Sequence, residues 1–138
     1  MNQSTLQPEY GIIDTSVYLE LADLDPAQLP QYSLVTTITV AEVVVGPVLA
    51  HDDLERVRRQ REAQQVIADF DPLPFDTEAA LAYPTVVASL RSLHRKPVSR
   101  SNDALIAAIA LSMGLPLYTK NVADFSGIEG LEVREVTS

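Results

Sequence analysis

The stretch "DALIAAIALSMGLPLYTKNVADF", residues 103–125, decides the fold. It opens on Asp103, runs through an apolar segment with scarcely a polar face, turns at Gly114 and closes near Asp124. A helix that is apolar all round is a buried helix. Residues 103–113 are therefore predicted to be a helix packed against a sheet. Gly114 suits its C-terminal cap, and 116–119 is read as the strand that follows.

The same pattern extends outwards. "YGIID" (10–14) reads as a buried strand ending in an aspartate. Residues 15–24 read as a helix, with Val17, Leu21 and Leu24 at helical spacing. Residues 32–37 suit a pleated surface. A helix is expected from Thr39 to about Leu49, bent at Gly46-Pro47. The charged segment 52–69 has only a sparse apolar stripe, as a surface helix does. "PLPF" (72–75) reads as a short third strand. Asp76 or Thr77 can cap a helix running to about His94. "LEVREV" (131–136) alternates like a strand near an edge. Strands separated by helices predict an α/β fold, a mainly parallel sheet of four to five strands covered on both faces.

Composition narrows the class. The 138 residues fit one domain, 1–138, with 1–9 as a loose polar lead-in, and 46% apolar residues suffice for a core. There is no cysteine, hence no thiolate metal site, which is compatible with the cytoplasm. The first ten residues lack a basic start followed by an apolar run. Segments 34–50 and 104–118 are apolar, but the first contains Glu42 and Pro47, and the second is broken by Gly114 and Pro116. Neither supplies the ~20 apolar residues of a spanning helix, so a soluble protein without a membrane partner is expected.

The net charge of −9 argues against nucleic acid when averaged over the chain. The distribution differs from the average. Of ten basic residues, Arg56, Arg58, Arg59 and Arg61 lie in one strip, and Arg91, Arg95, Lys96 and Arg100 in another. Solvated surface explains both strips, and so does contact with a phosphate backbone.

Open α/β sheets bind ligands beyond the carboxyl ends of their strands. Asp14 ends the first strand and Asp124 follows the strand at 116–119. Asp103 starts the helix leading into that strand, and Glu42 is expected in the first turn of the helix after the second. Topology thus gathers Asp14, Glu42, Asp103 and Asp124 on one rim. Each has an ordinary structural reading. Thr39-x-x-Glu42 matches a capping box, Asp14 can cap a helix, Asp103 complements a helix dipole and Asp124 can make a turn. Together, four carboxylates repel unless protonated or compensated by a cation. Oxygen ligands without His or Cys suit Mg²⁺ or Mn²⁺. Thr15, Ser16, Thr119 and Asn121 add polar support to the rim, although turn chemistry explains them equally well.

"IIDTSVYL", "TVAEVVVGP" and "DALIAAIALSMGLPLYTKNVADF", with their spacing, resemble PIN-domain endoribonucleases, specifically the VapC toxins of bacterial VapBC toxin–antitoxin pairs. The resemblance spans about residues 10–136. It implies a three-layer α/β/α sandwich and a Mg²⁺- or Mn²⁺-dependent cut of structured RNA, tRNA or rRNA. Asp14, Glu42, Asp103 and Asp124 match the family's acids, with Thr119 and Asn121 in the "T-x-N-x-x-D-F" segment. It also implies a VapB antitoxin partner, a homodimer, and a heterotetramer or larger assembly with that partner. Weak RNA contacts are assigned to Arg56, Arg58, Arg59, Arg95, Lys96 and Arg100. Two other readings compete. One is a receiver-like signalling domain, with Asp76 as phospho-acceptor and Lys120 as its late lysine. The other is a PIN scaffold without turnover.

Overall fold

The computed structural model describes residues 9–94 and 101–138, of Ser101 only its backbone. Four strands form one sheet in the order β2-β1-β3-β4, all parallel: β1 (Tyr10–Ile13), β2 (Tyr32–Leu34), β3 (Leu117–Thr119) and β4 (Val133–Glu135). The helices are α1 (Thr15–Tyr18), α2 (Thr37–Val44), α3 (Asp53–Asp69), α4 (Thr77–Ser92) and α5 (Ser101–Met113).

Strand side chains alternate between faces, and that alternation builds two cores. Ile12 and Leu117 join α4 and α5 on one side, while Ile13 and Tyr118 join Val17, Val43 and Val66 on the other. The result is the expected three-layer α/β/α sandwich. Gly11 makes the close approach possible, since a Cβ there would stand 2.5 Å from Cε1 of Tyr118. Gly114, at φ 64°, reverses the chain after α5, as predicted.

Several boundaries differ from the sequence reading, each for a local reason. Residues 72–75 add no strand, only one parallel bridge between Leu73 and Thr36, so the sheet has four strands. Pro72 and Pro74 lack the N–H groups a ladder needs. The helix expected over 15–24 stops at Tyr18 and gives way to a 3-10 turn, Leu21–Asp23. Beyond it, Pro26 disfavours helical backbone in the residue before it, and Asp25 is extended. The second helix starts earlier and ends earlier than expected. Thr36, held extended by its bridge, accepts from Thr39 N and caps α2, while Pro47 confines 46–49 to a separate 3-10 turn. β2 and β4 are also shorter than the stretches 32–37 and 131–136 read for them. Among the described residues, no helix is long and apolar enough to cross a membrane.

Candidate active site

Burial of polar groups singles out one end of the sheet. Among the described residues, the buried polar side chains are Asp14, Thr36, Thr39, Ser89 and Thr119. All but Ser89 stand at or next to the carboxyl ends of β1, β2 and β3. Unpaired polar atoms in such places are costly, so their partners define the site.

Asp14 follows β1 directly and is 3% exposed. Its Oδ1 accepts from Ser16 Oγ at 2.6 Å and from Val17 N at 3.1 Å. Its Oδ2 accepts from Thr119 Oγ1 at 2.6 Å, across 105 positions of sequence. Backbone donors steady these hydroxyls: Asn121 N reaches Thr119 Oγ1 at 2.9 Å, and Lys120 N reaches Ser16 Oγ at 3.2 Å. Asp14 therefore caps α1, as its ordinary structural reading expects, and ties the end of β1 to the end of β3. Charge-assisted bonds of this kind are short and strong.

Glu42 is reached from the neighbouring residue. Thr15 Oγ1 donates to Glu42 Oε1 at 2.7 Å and lies 3.0 Å from Thr39 Oγ1. The capping box predicted for Thr39 and Glu42 does not form, because Thr36 is the cap; Glu42 sits in the second turn of α2, not the first. Helical side chains lean towards the N-terminus, which returns Glu42 to the rim. Sequence reasoning missed the contact that Thr39 makes. Its signal was the i, i+3 spacing to Glu42, which places both on one helix face.

Asp103 lies in the first turn of α5 and Asp124 in the 3-10 turn Val122–Asp124. Both are half-buried, and both are engaged in interactions. Among the described residues, no group of three or more His, Cys, Asp or Glu side chains is gathered to hold a metal ion. The possible ligand atoms at Asp14 and Glu42 are carboxylate oxygens, with threonine and serine hydroxyls beside them, the oxygen chemistry that a hard divalent cation takes. The hydrogen bonds form two sets, one on Asp14 and one on Glu42, which meet at the Asp14–Thr15 peptide bond.

A groove of about 380 Å³ opens beside this network, lined in part by Thr15, Glu20, Glu42, Arg58, Arg59 and Glu62. The arginines of α3 differ in availability. Arg56 pairs with Asp53, and Arg59 pairs with Glu55 and donates to Gly46 O at 2.9 Å. Arg58 is exposed and forms no ion pair among the described residues. Arg95, Lys96 and Arg100 lie outside the described residues. Lys120 pairs with Glu20, and that hydrogen bond holds the Glu20 carboxyl below its ordinary range. Burial pushes the Tyr18 and Tyr118 phenols up. Asp76, required as a strand-end phospho-acceptor in the receiver reading, instead caps α4 by accepting from Ala79 N at 3.0 Å.

The PIN-domain family profile matches residues 12–130. Ribonuclease VapC5 of Mycobacterium tuberculosis is 35% identical over 133 residues, covering 94% of this chain and 95% of that protein. Ribonuclease VapC1 of Rickettsia felis is 31% identical over 132 residues, covering 92% of this chain and 96% of that protein. Among solved structures, a member of the VapBC family of toxin–antitoxin systems, VapBC-5 from Mycobacterium tuberculosis, superposes with a TM-score of 0.81. It is 34% identical and covers 94% of this chain and 100% of that one.

Proposed function

The chain belongs to the PIN-domain family, among its VapC ribonucleases, and from that premise we propose the function of its rim. The protein is an endoribonuclease and the toxin of a VapBC-type pair, and the domain 1–138 hydrolyses phosphodiester bonds in structured RNA, tRNA or rRNA, in the cytoplasm. The observation that carries the proposal is the carboxylate of Asp14, buried at the end of β1 with three donors on its oxygens and joined through Thr15 to Glu42.

Asp14, Asp103 and Glu42 would hold a Mg²⁺ or Mn²⁺ ion, directly or through water, and Asp124 would hold a second ion or order metal-bound water. When bound there, such a cation would supply hydroxide near neutral pH and offset charge growing on the phosphate oxygens. The chain's own part is orientation. Thr119 and Ser16 fix the plane of the Asp14 carboxylate, Thr15 fixes Glu42, and Asn121 holds Thr119 through its backbone N–H. Arg58 on the groove wall meets a backbone phosphate, with Arg56, Arg59, Arg95, Lys96 and Arg100 in weaker support. Water attacks in line, so the RNA 2′-hydroxyl is not needed, and the ends are a 3′-hydroxyl and a 5′-phosphate.

The partner is a VapB-type antitoxin that covers the rim, in an assembly built from toxin homodimers. Leu49, exposed on the groove wall, and the adjacent exposed Val48 support a protein partner, since apolar surface beside a groove suits an interaction site.

The test is Asp14→Asn. Asparagine keeps the N-cap acceptor for Val17 N, so the fold is preserved, while the carboxylate is lost. The expected result is a protein that still melts cooperatively and cleavage of total RNA reduced by about 10²-fold or more. Equal degradation by both proteins would assign the activity to a contaminant. A wild type with no cleavage in Mg²⁺ or Mn²⁺ would support the inactive scaffold instead.

A further inference from the structure

We propose that Thr39 is a positioning residue for Glu42, acting through the hydroxyl of Thr15. The proposal rests on the reading of Glu42 as a site acid.

The argument is one of proton accounting. Thr39 is 0% exposed, and its Oγ1 lies 3.0 Å from Thr15 Oγ1, in a contact where either atom could donate. Thr15 Oγ1 also lies 2.7 Å from Glu42 Oε1 and donates to it. A carboxylate only accepts, and each hydroxyl carries one proton. The proton of Thr15 is therefore committed to Glu42, and the Thr39–Thr15 contact must be donated by Thr39. The chain has a direction: Thr39 to Thr15 to Glu42.

The rest of the surroundings agree. A helical threonine ordinarily donates to the carbonyl three or four residues upstream. For Thr39 those are Thr36 O and Val35 O, which already accept from Val40 N and Leu73 N. The Thr39 N–H is itself taken by Thr36 Oγ1 at 3.2 Å. Each of those carbonyls has a second lone pair, but the contact that Thr39 Oγ1 makes is with Thr15 Oγ1. A hydroxyl that accepts one bond while donating another is polarised to donate more strongly.

The effect falls where it is needed. Glu42 is a long side chain on a half-exposed helix face, and such a side chain loses conformational freedom when held in one rotamer. Asp14 is fixed by its short stem and its backbone cap. Glu42 has no such cap and depends on the hydroxyl chain. The other acid is served by a matching arrangement, Asn121 N to Thr119 Oγ1 to Asp14 Oδ2. In both, a threonine touches the carboxylate and is itself supplied by a second donor.

The experiment compares Thr39→Val, which keeps shape and removes the hydroxyl, with Thr39→Ser, which keeps the hydroxyl. Thr39→Val is expected to lower kcat for RNA cleavage about tenfold with KM unchanged, and Thr39→Ser to restore it. In a Thr15→Val background, Thr39→Val should add no further loss, because coupled residues do not add. In metal-free protein, the ¹³C resonance of the Glu42 carboxylate should move in Thr39→Val and not in Thr39→Ser.

Independent, additive losses from the two threonines would overturn the proposal. So would a kcat equal to wild type in Thr39→Val with only its melting temperature lowered. Should Thr39→Val fail to fold, Thr39→Ser against Thr39→Ala carries the same comparison. Glu42→Gln separates the two levels of failure. If it cleaves RNA normally, the reading of Glu42 falls; if it is inactive while Thr39→Val is normal, only the role of Thr39 falls.

Discussion

On one face of the sheet α5 buries Ala104, Ile106, Ala107, Ala108, Ile109 and Ala110, whereas on the other α3 buries Val66 alone along 17 residues. The small side chains of α5 let it lie close to α4 and the strands, and they leave no polar atom to satisfy. The face under α3 is lined by Tyr18, Tyr118 and valines, and the phenol of Tyr18 must donate to Glu62 O at 3.0 Å. The groove beside Glu42 is walled by α3. One face is a dry platform that fixes the strand ends. The other carries the groove wall, where α3 buries a single side chain and is otherwise turned to solvent.

The largest effect expected from this difference is in the platform. Ile109→Ala should cost about 2–5 kcal/mol, the range for truncating a large buried aliphatic side chain. A denaturant midpoint measures it, and protein still folded in the assay should cleave RNA at the wild-type rate. Val66→Ala should cost roughly 1–2 kcal/mol, at about 0.8 kcal/mol per buried methylene-sized group. Its sign is local: amide exchange should quicken in α3 and not in α5. Equal destabilisation by the two substitutions, with exchange raised throughout, would break the comparison.

The smallest effect lies at the seam, where Lys120 after β3 pairs with Glu20. Hydrogen bonding to Lys120 lowers the Glu20 pKa. A lowered carboxylate stabilises the fold above its unfolded pKa of about 4.3 and loses that contribution as pH falls through the lowered value. Glu20→Gln should therefore melt slightly below wild type at neutral pH, and the gap should close in acid. The pair is partly exposed, so added salt should narrow the gap too.

The main features of the fold were legible because its elements carry strong signals. The apolar run 104–111 had to be buried, and Gly114 had to end it. What sequence could not weigh was competition between neighbours. "PLPF" has strand-like side chains, but its prolines remove the donors, and only Leu73 joins Thr36. The site was legible in the same uneven way. Asp14, Thr15, Ser16 and Thr119 follow from strand ends, and each appears in the network around Asp14 and Glu42. Thr39 was hidden by a motif that fits its spacing to Glu42. The cap belongs to Thr36, whose extended backbone depends on a strand-like bridge 37 positions away, from Thr36 to Leu73. The arginines of α3 look alike in sequence, and only their partners separate Arg58 from Arg56 and Arg59.

The borders of the sheet have a consequence of their own. β4 carries exposed Arg134 and Glu135, with Arg134 bound to Glu132, along a strand of three residues. Past the end of β2, the described residues add only the single bridge from Thr36 to Leu73, flanked by two prolines. Short, charged or proline-flanked borders refuse an incoming strand. Pairing of copies edge to edge is therefore disfavoured, and concentrated solutions should resist the fibre-like stacking that open ladders invite.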